Sequence, residues 1–440
     1  MSDNRAMQYA EILSKLVKYE TISSRENNDI TKFLGFHEVL RETYPRLFET
    51  AEVENFDGTL MLKWKGTDPG LEPVLLMNHF DVVEASGEWT HPAFSGEIAD
   101  GRVWGRGTLD TKGGLAMMLQ AAEELIKDGF TPKRDTYFVT SCTEEIGGPH
   151  ADALSLELQK KGMKFHMVLD EGGMILYDPI GGADGTFAMI GVGEKGYVDL
   201  KFIAKSNGGH ASAPGKNTPL VRLGKFMAEA EKAECFDVQM SDTVKEMLSR
   251  FAPTMSGIMK TACGNVNTFK PVLKKVMPMI SPAGAAMLRT TLAFTMSKGS
   301  DGANVIPQEA WVVGNMRFSH HQGKKSSVDR ITELAKKYDI ETVVIDDGIE
   351  SGITDFRGEA FGLIDKAVTA VFPEYKAVPY IMNAATDSRY FGRICDNCLR
   401  FVPFKIDKQQ LDSVHGIDEN VDVATLAPAV DFYKYVIKEA

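Results

Sequence analysis

The chain has 440 residues, with 43 % hydrophobic and 25 % charged side chains, so it is globular and too long for one small core. Its 49 Lys plus Arg stand against 61 Asp plus Glu, a net charge of −12. That balance argues against nucleic acid and anionic membranes as partners, because phosphate recognition needs a basic surface.

The first twenty residues, MSDNRAMQYAEILSKLVKYE, are charged throughout and place Tyr9, Ile12, Leu13 and Leu16 at helical spacing. They read as an amphipathic helix, not an apolar leader, and no apolar run approaches the ~18 residues of a membrane span. A cytoplasmic protein is expected. TLMLKWKG and PVLLMNHF read as strands, GGLAMMLQAAEELIKDG as a helix ending at a glycine, and DTYFVTSC and FHMVLD as two further strands. This alternation predicts an α/β layer on a mixed, mostly parallel sheet.

Near residue 195 the pattern changes. GYVDLKFIAKS alternates like a half-solvated strand, and PLVRLGKFMAEAEKA follows as a helix. After a Met- and Lys-rich helical stretch at 234–289 come the strands TTLAFTMSKGS and EAWVVGNMRFS, the helix VDRITELAKKY and the strand ETVVIDD. The order β-α-β-β-α-β is that of a ferredoxin-like α+β unit carrying an insertion. GEAFGLIDKAVTAVF resumes the first style, and APAVDFYKYVIKEA ends the chain as a helix. The expected plan is a catalytic α/β domain at 1–194 and 351–440, interrupted by an inserted domain at 195–350. GVGEKG, at 191–196, is no dinucleotide fingerprint, because a strand and not a helix follows it. It reads as a domain junction.

The five cysteines include one C-x-x-C, Cys395 and Cys398, without the second pair that a structural zinc site needs. Ordinary thiols are the expected reading.

In open α/β sheets ligands bind beyond the carboxyl ends of the strands. Four clusters sit at such points: His79 with Asp81, Asp110, Glu144 with Glu145, and Asp170 with Glu171. One strand-end carboxylate is usually a helix cap or a solvated charge. Four together raise one another's pKa unless cations are present. Carboxylates with imidazoles and no thiolate suit zinc, with cobalt or manganese as alternatives. Three carboxylates and two histidines suffice for two ions sharing one carboxylate, an arrangement common in hydrolases.

In chain order, HFD, GRGTLDTKGG, TEEIGG, VLDEGG, GGHASAPG, NVIP, ATDSR and VHGID resemble the zinc-dependent aminoacylase and carboxypeptidase metallopeptidase family. That family includes glutamate carboxypeptidase, acetylornithine deacetylase and succinyl-diaminopimelate desuccinylase. WTHPAFSGEIADGRVWGRGTLDTKGG is most similar to the carboxypeptidase S branch, which also holds N-acyl-amino-acid hydrolases. The resemblance covers nearly the whole chain. It implies that His79 and His415 each bind one of two divalent ions, that Asp110 bridges them, and that Glu145 and Asp170 complete the two sets. It implies that Asp81 orients His79 and that Glu144 is the general base. His210 and Asn304 would stabilise an oxyanion, the histidine often reaching across a homodimer formed through the inserted domain. Arg389 would grip the substrate's free carboxylate, and the Asp110–Thr111 bond would be cis. The expected substrate is a small peptide or N-acyl amino acid. A catalytically silent, metal-dependent binding protein is the alternative. One departure is visible: Ala384-Ala385 replaces the glycine pair of the branch, which leaves the pocket walls open.

Overall fold

The computed structural model describes residues 2–26, 29–232, 235–280 and 282–440. Ala233, which ends one expected helix, lies outside them. The chain divides into two compact units: residues 1–194, 250–260 and 352–440 form the first, residues 195–249 and 261–351 the second.

The first unit is built on a ten-stranded sheet. Its middle runs Thr59–Trp64, Thr136–Ser141, Val74–His79, Met167–Asp170, Cys398–Arg400 and Thr186–Glu194. Val74–His79 is parallel to Thr136–Ser141 and to Met167–Asp170, and Cys398–Arg400 is parallel to Met167–Asp170. These strands are buried along their whole length, as parallel strands covered on both faces must be. Helices Ser2–Val17, Lys112–Lys127, Glu359–Val371 and Val423–Glu439 supply Leu13, Leu115, Ile364 and Val430 to the same core. Among the described residues the strand Lys376–Met382 pairs only with Thr186–Glu194, and Pro379 is tolerated at that edge. Residues 250–260, expected in the inserted domain, pack with this unit. The Phe251 ring meets Phe187 edge-on at 4.7 Å, and Arg250 Nη1 donates to the Ala377 carbonyl at 2.7 Å.

The second unit has four strands in the order Thr291–Lys298, Glu309–Phe318, Gly196–Lys205 and Glu341–Asp346, all antiparallel. With helices Pro219–Lys232 and Gly323–Lys336 this is the ferredoxin-like order expected. Phe202, Phe226, Val312 and Ile331 close its core. The Met- and Lys-rich stretch forms Asp242–Phe251, Gly257–Gly264, Val266–Ile280 and Pro282–Leu288, all helices. GVGEKG spans the end of one strand and the start of the next, at the residue where the first unit gives way to the second.

Among the described residues no helix is long and apolar enough to cross a membrane. All five cysteines are free, and both members of the C-x-x-C are buried.

Candidate metal centre and cavity

The register of the parallel strands brings their carboxyl ends to one edge, with His79 opposite Ser141. The segments leaving Val74–His79, Thr136–Ser141 and Met167–Asp170 at that edge carry acidic or imidazole groups.

His79 ends its strand 2 % exposed. Its Nδ1 lies 2.9 Å from the backbone carbonyl of Asp81. A carbonyl can only accept, so Nδ1 carries a proton, and Nε2 faces Asp110 Oδ1 at 3.0 Å. The Asp81 carboxylate adds a second task to the one expected. It stands 3.5 Å from His79 Nδ1, and it accepts the backbone N–H groups of Glu144 and Glu145, each at 3.1 Å, and the Ser23 hydroxyl at 2.7 Å. Asp81 thus faces His79 with both its main-chain carbonyl and its carboxylate, and its side chain also fixes the Glu144–Ile146 turn.

Asp110 offers one oxygen to each histidine, Oδ1 to His79 and Oδ2 to His415 Nε2, both at 3.0 Å. Glu145 Oε2 lies 3.1 Å from the same His415 nitrogen. His79, Asp110 and Glu145 each bring a ligand-type atom within 4.8 Å of the others. His415 stands at the rim, 53 % exposed, in the left-handed conformation at φ 60°. The Asp110–Thr111 bond is cis.

Electrostatics follow from this crowding. Burial would push His79 down, but Asp110 and Asp81 hold its imidazole well above the usual range. Asp110 and Glu145 raise His415 to about 10. Burial pushes the carboxyls of Glu144, Glu145 and Glu171 up, and Asp110 raises the latter two further.

The Asp170–Glu171 pair requires a correction. Sequence reading gave the ligand role to Asp170. Its Oδ1 accepts the Glu171 N–H at 2.9 Å and its Oδ2 the Ser388 N–H at 2.8 Å, and it does not line the cavity. Glu171 does, together with Asp110, Glu144, Glu145 and His415. The carboxylate one position earlier drew the assignment away from it.

Arg389 also departs from expectation. It is buried. Nη1 donates to the Thr386 carbonyl and Nη2 to the Gly147 carbonyl, both at 3.0 Å, and the guanidinium packs on Tyr390. It faces Glu144 Oε1 at 3.9 Å and does not line the cavity. Both terminal nitrogens are thus engaged by backbone carbonyls, and the buried Nε has no hydrogen-bond partner among the described residues.

In the second unit, His210 and Asn304 are neighbours. Gly209–His210 pairs with Val305–Ile306, and the Ala211 N–H donates to the Asn304 carbonyl at 2.9 Å. Both side chains are exposed, and His210 Nδ1 contacts the Ser212 hydroxyl at 2.7 Å.

The cavity beside the acidic cluster measures about 460 Å³. Its other wall is apolar, with Met174, Leu176, Met382, Ala384, Ala385 and Leu411, and among the described residues no lysine or arginine lines it. The donor set fits a pair of divalent cations. Four carboxylates converge in one cavity, and the buried Oε1 of Glu145 has no hydrogen-bond partner among the described residues, a cost that cation binding removes.

The sequence profile described as Peptidase family M20/M25/M40 matches residues 75–439. A probable carboxypeptidase S-like 2 of Dictyostelium discoideum is 31 % identical, over 98 % of this chain and 85 % of that protein. The human N-fatty-acyl-amino acid synthase/hydrolase PM20D1 is 30 % identical, over 98 % of this chain and 87 % of that one. Among solved structures, the M20 family metallo-carboxypeptidase Sso-CP2 from Sulfolobus solfataricus superposes with a TM-score of 0.72. It is 16 % identical, with 98 % of both chains covered. The chain belongs to peptidase family M20/M25/M40.

Proposed function

We propose that this member of peptidase family M20/M25/M40 hydrolyses the amide bond of an N-acyl amino acid or small peptide next to its free carboxylate. The observation that carries the reading is the sharing of Asp110 between two histidines, with Glu144 on the adjoining turn. His79, Asp110, Glu145, Glu171 and His415 would hold two divalent ions, zinc being the first expectation for this donor set. Bound ions lower the pKa of water towards ~7 and polarise the scissile carbonyl. Glu144 takes a proton from the attacking water as its oxygen bonds the carbonyl carbon. The same proton passes to the nitrogen as the C–N bond breaks, leaving an acid and an amine.

The apolar wall favours an apolar acyl group or side chain, in keeping with the names of the relatives. The resemblance assigns oxyanion stabilisation to His210 and Asn304. Replacing either by Ala should lower kcat and leave metal content intact. Dimerisation through the second unit is proposed from its edge strand Glu341–Asp346, where Val343, Val344 and Ile345 are exposed. A strict monomer in light scattering would remove it.

The direct test is metal-loaded protein incubated with dipeptides and N-acyl amino acids of increasing acyl length, followed by amine release. No hydrolysis across that panel would leave the binding-protein reading in its place.

A further inference from the structure

A buried ion pair joins the two segments that carry Asp110 and His415. Glu419 is 0 % and Arg106 2 % exposed, and Arg106 Nη1 meets Glu419 Oε2 at 2.5 Å. The other Glu419 oxygen accepts three backbone N–H groups: Gly107 at 3.1 Å, Leu109 at 2.8 Å and Asp110 itself at 3.1 Å. The Glu419 carbonyl accepts the Gly105 N–H at 2.8 Å. In the reverse direction, Arg106 Nη2 donates to the Gly416 carbonyl at 2.7 Å, one residue beyond His415. The guanidinium also lies 5.2 Å from the Trp89 ring centroid. The pairing of Arg102–Trp104 with Asn420–Asp422 ends where these contacts begin.

Stability alone does not explain this arrangement. A buried ion pair is often no better for folding than apolar groups of the same shape. Both Glu419 oxygens are already engaged, so it is not a ligand. What the pair does is fix main-chain atoms beside two of the proposed ligands. Neither segment is regular: His415 is left-handed, and Gly107 has φ 90°, where a Cβ would meet Val82 at 3.0 Å. Without a clamp, segments of this kind have no ladder to hold them.

We propose that Arg106 and Glu419 are positioning residues that preset Asp110 and His415 for the cation pair. The proposal rests on the metal reading above. Outer contacts of this type typically change metal affinity by about 10–100-fold when removed.

The test uses the full chain, stripped of metal and titrated with zinc against a chromophoric chelator, with cobalt absorption as a second readout. Glu419→Gln removes the anion, and Arg106→Lys keeps the charge while losing the fork. Both should fold as apo-proteins by circular dichroism, bind at least one ion about 10–100-fold more weakly, and change the cobalt spectrum. A merely structural role would lower the apo-protein Tm and leave affinity and spectrum alone. Affinities within about threefold of wild type in the folded variants would overturn the proposal. If Glu419→Gln fails to fold, Arg106→Lys decides alone. If the unsubstituted chain takes up no zinc, the metal reading falls and the clamp with it, which separates the two failures.

Discussion

Asp170 and Glu171 are adjacent in the chain, yet Asp170 binds two backbone N–H groups while Glu171 lines the acidic cavity. Glu171→Ala should therefore lower zinc stoichiometry towards one ion and reduce turnover by about 10²-fold or more. Asp170→Asn should mainly lower the Tm, because Ser388 and Glu171 lose a charged acceptor. Metal content by mass spectrometry checks both. Full occupancy in Glu171→Ala would return the role to Asp170.

Glu144 lines the same cavity as the shared carboxylate, with its pKa raised by burial. Glu144→Gln should keep two ions and lose about 10²–10⁴-fold in kcat. Near-normal turnover would remove Glu144 as the base.

Arg389 has its forks on Thr386 and Gly147. Arg389→Met should lower kcat and Tm, and the preference for a free carboxylate over its amide should change by no more than about twofold. A selective rise of KM for carboxylate substrates would show that the guanidinium reaches them.

In the metal-free site His415 keeps its proton up to about pH 10. The stabilisation from this raised pKa is complete below the ordinary histidine range and is lost as pH rises through about 10. Metal coordination needs the same nitrogen deprotonated. Zinc uptake at neutral pH should release about one proton or more per chain. Calorimetry in buffers of different ionisation enthalpy reads this directly, and buffer-independent heats would contradict it.

Ala384 and Ala385 lie on the apolar wall. Ala385→Phe should lower kcat/KM for long acyl groups by about tenfold or more and affect short ones less. Equal losses for all acyl lengths would place the acyl group elsewhere.

Much of this was legible in the residues. Strand ends and polar clusters coincide at His79 and Glu144–Glu145, because parallel strands deliver their carboxyl ends to one edge, and Asp110 joins them from the turn before the helix Lys112–Lys127. The antiparallel second unit announced itself through period-two alternation in GYVDLKFIAKS. Other features were hidden. Thr186–Glu194 is buried along nearly its whole length and has no alternation to betray it, and Pro379 masks Lys376–Met382. Neither the choice between Asp170 and Glu171 nor the inward turn of Arg389 depends on residue type. Both depend on which backbone groups lie nearby, and only the folded chain supplies those. Glu419 carried no sequence signal, since its partners, the Arg106 guanidinium and three main-chain N–H groups, lie about three hundred positions away.

The two histidines differ in depth: His79 is enclosed by the sheet, and His415 sits at the mouth of the cavity. The halves of a loaded centre would consequently exchange at different speeds. A chelator should strip the outer position first, and a different metal offered afterwards should enter there, yielding a mixed pair whose inner member records the original supply.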